Sequence, residues 1–299
     1  MDLDGSALPA RLTERVLRTL GFSARPTPDA DGLAAFYRAW CMQVPFDNTR
    51  KTIARRTGTA GALPGIEAED FFEHWLAHGT GGTCWPSSNA VFSVLRLAGF
   101  DARRVIASMR DLGTPNHASV KVRAGDGDWL ADSSMLLNAP LPLGPGTFIA
   151  NDPVWPAEVE ASNGTHVVWW HTPPNEQYLP CRILVDPATY REYCEGYDRS
   201  RQRSPFNEVL YARRNRPGAL IILVGRTRYL RTHEGIERRD LTTREVAQSL
   251  RDDIGLSGHM IDRWIESGGQ DQPYARPEEP PGASRHRPAE PPSRRSSGR

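Results

Sequence analysis

The sequence predicts an α+β protein that is helical first and rich in strands afterwards. Three observations carry this. Apolar residues recur at helical spacing through the first hundred positions. From Arg103 onward the apolar runs become short and strand-like. Turn signals such as "RAGDGD" at 123 to 128 join neighbouring runs. With 299 residues, 38% hydrophobic and 24% charged, the chain can hold one large domain or two to three small ones.

The elements follow in order. Residues 11 to 20 place Leu12, Val16, Leu17 and Leu20 on one helical face, and Gly21 ends that helix. A second helix over 29 to 43 carries Leu33, Phe36, Tyr37 and Trp40, and "VPFDN" at 44 to 48 breaks it. A third over 67 to 77 carries Phe71, Phe72, Trp75 and Leu76, with Gly79 as its stop. The fourth lies in "GTGGTCWPSSNAVFSVLRLAGF", residues 79 to 100. Pro86 suits its first turn, where a missing N–H is harmless, and Gly99 suits its C-terminal cap. Strands are predicted at 103 to 109, 117 to 122 and 128 to 132, the last two as a hairpin. The segment 140 to 180 is rich in Pro and Trp, with strand pieces such as "THVVWW"; Trp155, Trp169 and Trp170 read as core packing. A strand at 181 to 186 precedes a helix over 186 to 201. Strands with turns then run through "NEVLYARR" and "GALIILVGRTRYLRTHEGIERRDL". A last helix, "TTREVAQSLRDDIG", is capped by Thr242 or Thr243. From about 271 the chain holds seven Pro in 29 residues with Tyr274 as its one aromatic, a composition read as disordered.

Charge and thiols narrow the function. The formal net charge is +1, so no global field draws the chain to nucleic acid or to an acidic membrane surface. Only Lys51 and Lys121 are lysines, which reads as a genomic preference for Arg. The N-terminal stretch lacks the basic and apolar regions of a signal peptide. The longest apolar run, "ALIILV" at 219 to 224, is too short to cross a bilayer. The four Cys at 41, 84, 181 and 194 match no zinc pattern, and a cytoplasmic protein with free thiols is expected. His74 and His78 stand four apart on a helix. Trp75, however, occupies the place where a zinc hydrolase motif needs Glu, and no third ligand is visible. No metal and no tightly bound cofactor is assigned.

Cys84 is the candidate nucleophile. It follows Gly79, Gly81 and Gly82 at the mouth of a helix. Unpaired N–H groups and the helix dipole there favour the thiolate, and the glycines are read as leaving N–H groups free for an oxyanion. A thiol needs a base and the base an orienter. His117 opens one strand of the predicted hairpin and Asp132 closes the other, so the two fall within a residue or two of each other across the strands. Cys84, His117 and Asp132 therefore form the candidate catalytic set.

These residues resemble the arylamine N-acetyltransferase family. "LPARLTERVLRTLGFSARPTPDADGLAAFYRAWCMQVPFDN" is similar to its N-terminal helices, ending near its Ile-Pro-Phe-Glu-Asn. "GGTCWPSSNAVFSVLRLAGFDARRV" is similar to its Gly-Gly-aromatic-Cys segment, with Asn89 as the following Asn. "NHASVKV" and "DWLAD" resemble its His and Asp strands, and "SPFN" at 204 to 207 a stretch before its C-terminal lid. The likeness runs from about residue 8 to 265. It implies an N-terminal helical bundle over 1–100 carrying Cys84 and a central antiparallel β-barrel over 101–203 carrying His117 and Asp132. A C-terminal α/β lid follows over 204–270, ahead of the 271–299 tail. It also implies ping-pong acyl transfer through Cys84, from a thioester donor to a small-molecule amine. Two runs depart from the family pattern. Trp85 is followed by Pro86 and Ser87 where the family has Glu, and "SSM" at 133 to 135 replaces a Val-Gly-Phe-Gly loop associated with coenzyme A. Two donors are thus carried forward, acyl-coenzyme A and an acyl chain tethered to a carrier protein. With the second, the enzyme would be an amide synthase or cyclase. A catalytically silent binding protein on the same fold is the third reading.

Overall fold

Five helices come first, in a computed structural model that describes residues 7–271: α1 (Ala10–Thr19), α2 (Ala30–Gln43), α3 (Thr49–Arg56), α4 (Ala68–His78) and α5 (Cys84–Leu97). The predicted stripes are their buried faces. Leu12, Val16 and Leu17 of α1 meet Leu33, Phe36 and Trp40 of α2 and Phe71, Phe72 and Trp75 of α4 in one core. Trp40 stacks on Phe71 at 5.9 Å and meets Phe72 edge-on at 6.1 Å. Asp29 caps α2 by accepting from the Gly32 amide at 2.7 Å. Helix α5 is buried from Cys84 through Leu95, the mark of a helix packed on all sides. The helix α3 is absent from the sequence reading. Its buried face is Thr49, Lys51, Thr52 and Ile53, too polar to stand out as an apolar stripe.

Strands β2 (Asp101–Met109), β3 (His117–Ala124), β4 (Gly127–Leu130), β5 (Leu141–Pro142), β6 (Thr147–Ala150), β7 (Ala157–Ser162), β8 (Thr165–Trp170) and β9 (Leu179–Ala188) form one antiparallel, barrel-like sheet in the order β5-β4-β3-β2-β9-β8-β7-β6. The hairpin is present as predicted. Lys121 pairs with Leu130 and Ala124 with Gly127, across a two-residue turn at Gly125, whose φ of 59° suits glycine. A second core fills this sheet, with Trp155, Trp170, Val168 and Cys181 in it.

The helix α6 (Tyr190–Arg199) follows, held by a capping box in which Thr189 and Glu192 satisfy each other's amides. The remainder is β10 (Tyr211–Arg216), β11 (Ala219–Val224), β12 (Thr227–Thr232), β13 (Gly235–Asp240), α7 (Thr243–Ser249) and α8 (Gly258–Glu266). Thr242 is the cap of α7, again with a capping box through Glu245. The short β1 (Phe46–Asp47), far upstream, joins this second sheet in the order β1-β10-β11-β12-β13. The architecture is therefore the α+β arrangement of bundle, barrel-like sheet and α/β lid. The proposed tail from 271 lies outside the described residues apart from Asp271.

Candidate active site

The loop before α5 is built by packing. Gly79 ends α4 with φ 70°, and a side chain there would meet the Gly255 carbonyl. A Cβ on Gly81 would lie 1.7 Å from the Pro45 carbonyl oxygen, and the Gly81 amide donates to Asp47 Oδ2 at 2.6 Å. The expectation that these glycines hold free N–H groups for an oxyanion is thus corrected at Gly79, whose amide donates to the Trp75 carbonyl at 2.8 Å, and at Gly81, whose donor is spent on Asp47. First-turn amides of a helix have no intrahelical acceptor, and in α5 those are Cys84 and Trp85. Pro86 has no N–H, and Ser87 is the first to bond back, to the Thr83 carbonyl at 3.1 Å.

"PFDN" ties this loop to the lid. Asp47 also accepts from the Thr49 amide at 2.9 Å. Asn48 donates to the Phe206 and Val209 carbonyls at 3.1 and 2.7 Å and accepts from the Tyr211 amide at 2.8 Å. Phe46 packs edge-on against Phe206 and Tyr211 at 5.1 and 5.7 Å. The loop leading to the thiol and the "SPFN" segment are therefore one unit.

The three candidate residues meet between the two cores. Cys84, on the first turn of α5, is 5% exposed, and its thiol stands beside His117, where it favours the protonated imidazole. His117 Nε2 lies 2.7 Å from Asp132 Oδ2. A carboxylate only accepts, so Nε2 carries a proton, and Nδ1 is the nitrogen left for the thiol. Asp132 sits two residues past the end of β4 rather than closing it, next to Ala131, whose amide still bonds Val120 in register. Its other oxygen, Oδ1, accepts from the Ser134 and Met135 amides, each at 2.8 Å. Tyr37 of α2 donates to its backbone carbonyl at 2.6 Å. Burial opposes charge on His117, but the Asp132 carboxylate overrides it and holds His117 well above the usual imidazole range. Burial likewise works against the Asp132 carboxylate, and the His117 charge with the two amides keeps it below its ordinary value.

The two runs that depart from the family pattern touch each other. Ser133 Oγ lies 3.0 Å from Ser87 Oγ and 2.9 Å from Ser88 Oγ, and Ser88 donates to the Ala118 carbonyl at 2.9 Å. The serines of "WPSS" and "SSM" thus tie the start of α5 to the strand and loop that carry His117 and Asp132. Nothing in either run alone points to this pairing. Asn89 is a joint between elements, donating to the Ile66 carbonyl at 2.7 Å and accepting from buried Arg104 at 2.9 Å.

The other thiols and imidazoles are placed elsewhere. Burial pushes Cys181 and Cys41 up to about 12, so both stay thiols. His74 bonds within α4, to the Asp70 carbonyl at 2.9 Å, while His78 ties α4 to Ser257 at 3.0 Å and packs 5.2 Å from His259 of α8. Among the described residues no three His, Cys, Asp or Glu are arranged to hold a metal ion, and no helix is long and apolar enough to cross a membrane. Trp155 and Trp170 are buried in the second core, whereas Trp169, also expected there, is half-buried outside it and donates its indole N–H to Glu160 at 2.7 Å.

A family model described as N-acetyltransferase matches residues 29–260. The chain belongs to the arylamine N-acetyltransferase family. Solved structures of arylamine N-acetyltransferases share the fold. That of Mycobacterium smegmatis is 19% identical, with a TM-score of 0.72 over 84% of this chain and 96% of its own. That of Salmonella typhimurium is 18% identical, with a TM-score of 0.72 over 87% and 98%. The Mycobacterium marinum protein, solved in complex with CoA, is 19% identical, with a TM-score of 0.70 over 86% and 94%. No curated protein matches the chain. For an arylamine N-acetyltransferase family member, Pro86 at the third position of α5 is tolerated because the helix needs no donor there.

Proposed function

We propose that this chain is a cysteine-dependent N-acyltransferase that moves an acyl group from acyl-coenzyme A, through Cys84, to a small-molecule amine. The observation that supports it best is the buried chain of contacts from the Cys84 thiol to His117 and from His117 to Asp132 at 2.7 Å. Family membership and the coenzyme A bound to the Mycobacterium marinum neighbour favour this donor over a carrier-protein thioester.

In the first half-reaction the Cys84 thiol proton passes to His117 Nδ1, and the thiolate attacks the thioester carbonyl carbon. The developing oxyanion draws on the first-turn amides of Cys84 and Trp85. The carbon–sulfur bond to coenzyme A then breaks, and His117 returns the proton to the departing thiol. In the second half an amine attacks the acyl-Cys84 carbonyl, His117 accepts the amine proton, and the amide leaves as the Cys84 thiolate reforms. Asp132 holds His117 in the tautomer that both halves need.

Intact-protein mass spectrometry tests this. Acetyl-coenzyme A should add one acetyl group, absent in Cys84→Ser and lost on adding an arylamine. A Cys84 that alkylates with iodoacetamide but takes no acyl mass from acetyl-coenzyme A overturns the proposal. An acyl-loaded carrier protein in a parallel arm would then show whether the donor is tethered.

A further inference from the structure

Lys51 is a buried ion that the scheme above leaves unused. It is one of two lysines in a chain with 37 Lys and Arg together, and it is only 3% exposed. Its ammonium donates to Ser200 Oγ at 2.9 Å and lies 5.6 Å from the centre of the Tyr197 ring. Among the described residues no carboxylate pairs with it, and the neighbouring Arg55 and Arg201 repel it. A buried charge without a counter-ion is expensive, so a partner is expected. The packing sets α3 beside the first turn of α5, which carries Cys84: a Cβ on Gly65 would lie 3.3 Å from Pro86 of that turn and 3.5 Å from Arg50, the residue before Lys51, and the sulfur on that turn is the group that favours the ammonium.

The packing explains how a residue of α3 comes to serve the first turn of α5. Gly196 of α6 has no side chain because the Trp85 ring fills that space; a Cβ there would come within 2.3 Å of it. Trp85 also meets Tyr193 edge-on at 5.5 Å. The next residue after Gly196 is Tyr197, whose ring seats Lys51, and Ser200 follows at the end of the helix. The α6 helix therefore carries the ammonium at the same end of α5 that carries the thiol. The titratable groups around the thiol are His117 backed by Asp132, Cys181 on β9, Tyr193 and Tyr197 on α6, and Lys51 on α3. In the thiolate state Cys84 and Asp132 bring two negative charges against one on His117, and a further buried cation balances them.

We propose that Lys51 is a positioning residue for Cys84: its ammonium, seated on Tyr197 and Ser200, is the counter-charge that holds the thiolate in the free enzyme. This rests on the acyl-transfer reading above. Acylation removes the negative charge from sulfur and leaves Lys51 without its partner. Burial then weighs on the ammonium alone, and already brings Lys51 down to about 8 while the thiol is free. Release of the acyl group restores the pair, so Lys51 favours the second half-reaction.

The test uses the full chain and iodoacetamide, a neutral probe, with Cys84 alkylation rates followed from pH 5 to 10. In Lys51→Met the half-maximal point should move up by about one pH unit, making alkylation about tenfold slower below it. The plateau at high pH should be unchanged, and Lys51→Arg should return the profile to within about threefold of the unsubstituted chain. A Lys51→Met profile that superimposes on the original overturns the proposal. So does a lowered plateau with a lower melting temperature that Lys51→Arg fails to restore, which marks a purely structural residue. Acetyl-coenzyme A labelling is run alongside. If the unsubstituted chain takes no acetyl group, the acyl-transfer reading fails, and the alkylation profiles still decide on Lys51.

Discussion

Replacing Asp132 by Asn should cost this protein about three decades of Cys84 reactivity. The reason lies in which atoms Asp132 has already committed. Its Oδ1 accepts two backbone amides, from Ser134 and Met135. An Asn must keep its carbonyl oxygen there, because its NH2 cannot accept. The NH2 then faces His117 Nε2, where the carboxylate stood 2.7 Å away. A donor facing Nε2 forces that nitrogen to accept, so the imidazole proton moves to Nδ1, the nitrogen that must take the thiol proton. The charge partner of the imidazolium is lost as well. Two unit charges about 4 Å apart attract by about 4 kcal/mol at the effective dielectric of a protein site, or about three decades at 1.36 kcal/mol each. The assay is the second-order rate of Cys84 alkylation by iodoacetamide at pH 7, with acetyl transfer measured in parallel. Because the turn at 132 to 135 keeps its hydrogen bonds, Asp132→Asn should fold. A folded Asp132→Asn whose rate falls less than tenfold would refute the tautomer argument.

Further outcomes follow from other contacts. Thermal midpoints of the original chain and Asp132→Asn should differ most in a window set by the two shifts. The gain from the lowered Asp132 is present above the ordinary carboxylate range and lost as pH falls through its native value. The gain from the raised His117 is present below the ordinary imidazole range and lost as pH rises through its native value. The difference should therefore shrink at both ends of a pH series, and one that keeps growing below about pH 4 contradicts the assignment. Gly81→Ala must displace the Pro45 backbone and should cost about 3 kcal/mol in urea unfolding together with most of the acyl transfer. Gly144→Ala, which meets open space, should stay within about 0.5 kcal/mol. Asn48→Ala strands the Tyr211 amide and two carbonyls, and a loss of about 3 kcal/mol in the same assay is expected.

The helices α1, α2, α4 and α5 were legible because their cores are made by apolar residues three and four apart, which any window of the chain displays. The hairpin of β3 and β4 was legible for a similar reason: a two-residue turn at Gly125 sets its register, and the register brings Asp132 to His117. Other elements escaped. The helix α8, with Met260, Ile261 and Trp264 buried, is short and follows a loop that packs against the Gly79 turn. The two-residue β1 has no pattern of its own and exists only as a partner of β10.

The sequence by itself determined the local elements, the cysteine at a helix mouth and the imidazole–carboxylate pair, since each depends on residues close along the chain. The tertiary structure alone decided what surrounds them. Asn48 reaches residues more than 150 positions away, Ser87 and Ser88 meet Ser133, and Lys51 meets Ser200. Contacts of that span arise from how helices and sheets are stacked. Burial then gives them their force, turning an unremarkable lysine in a polar helix into a charge that must find a partner.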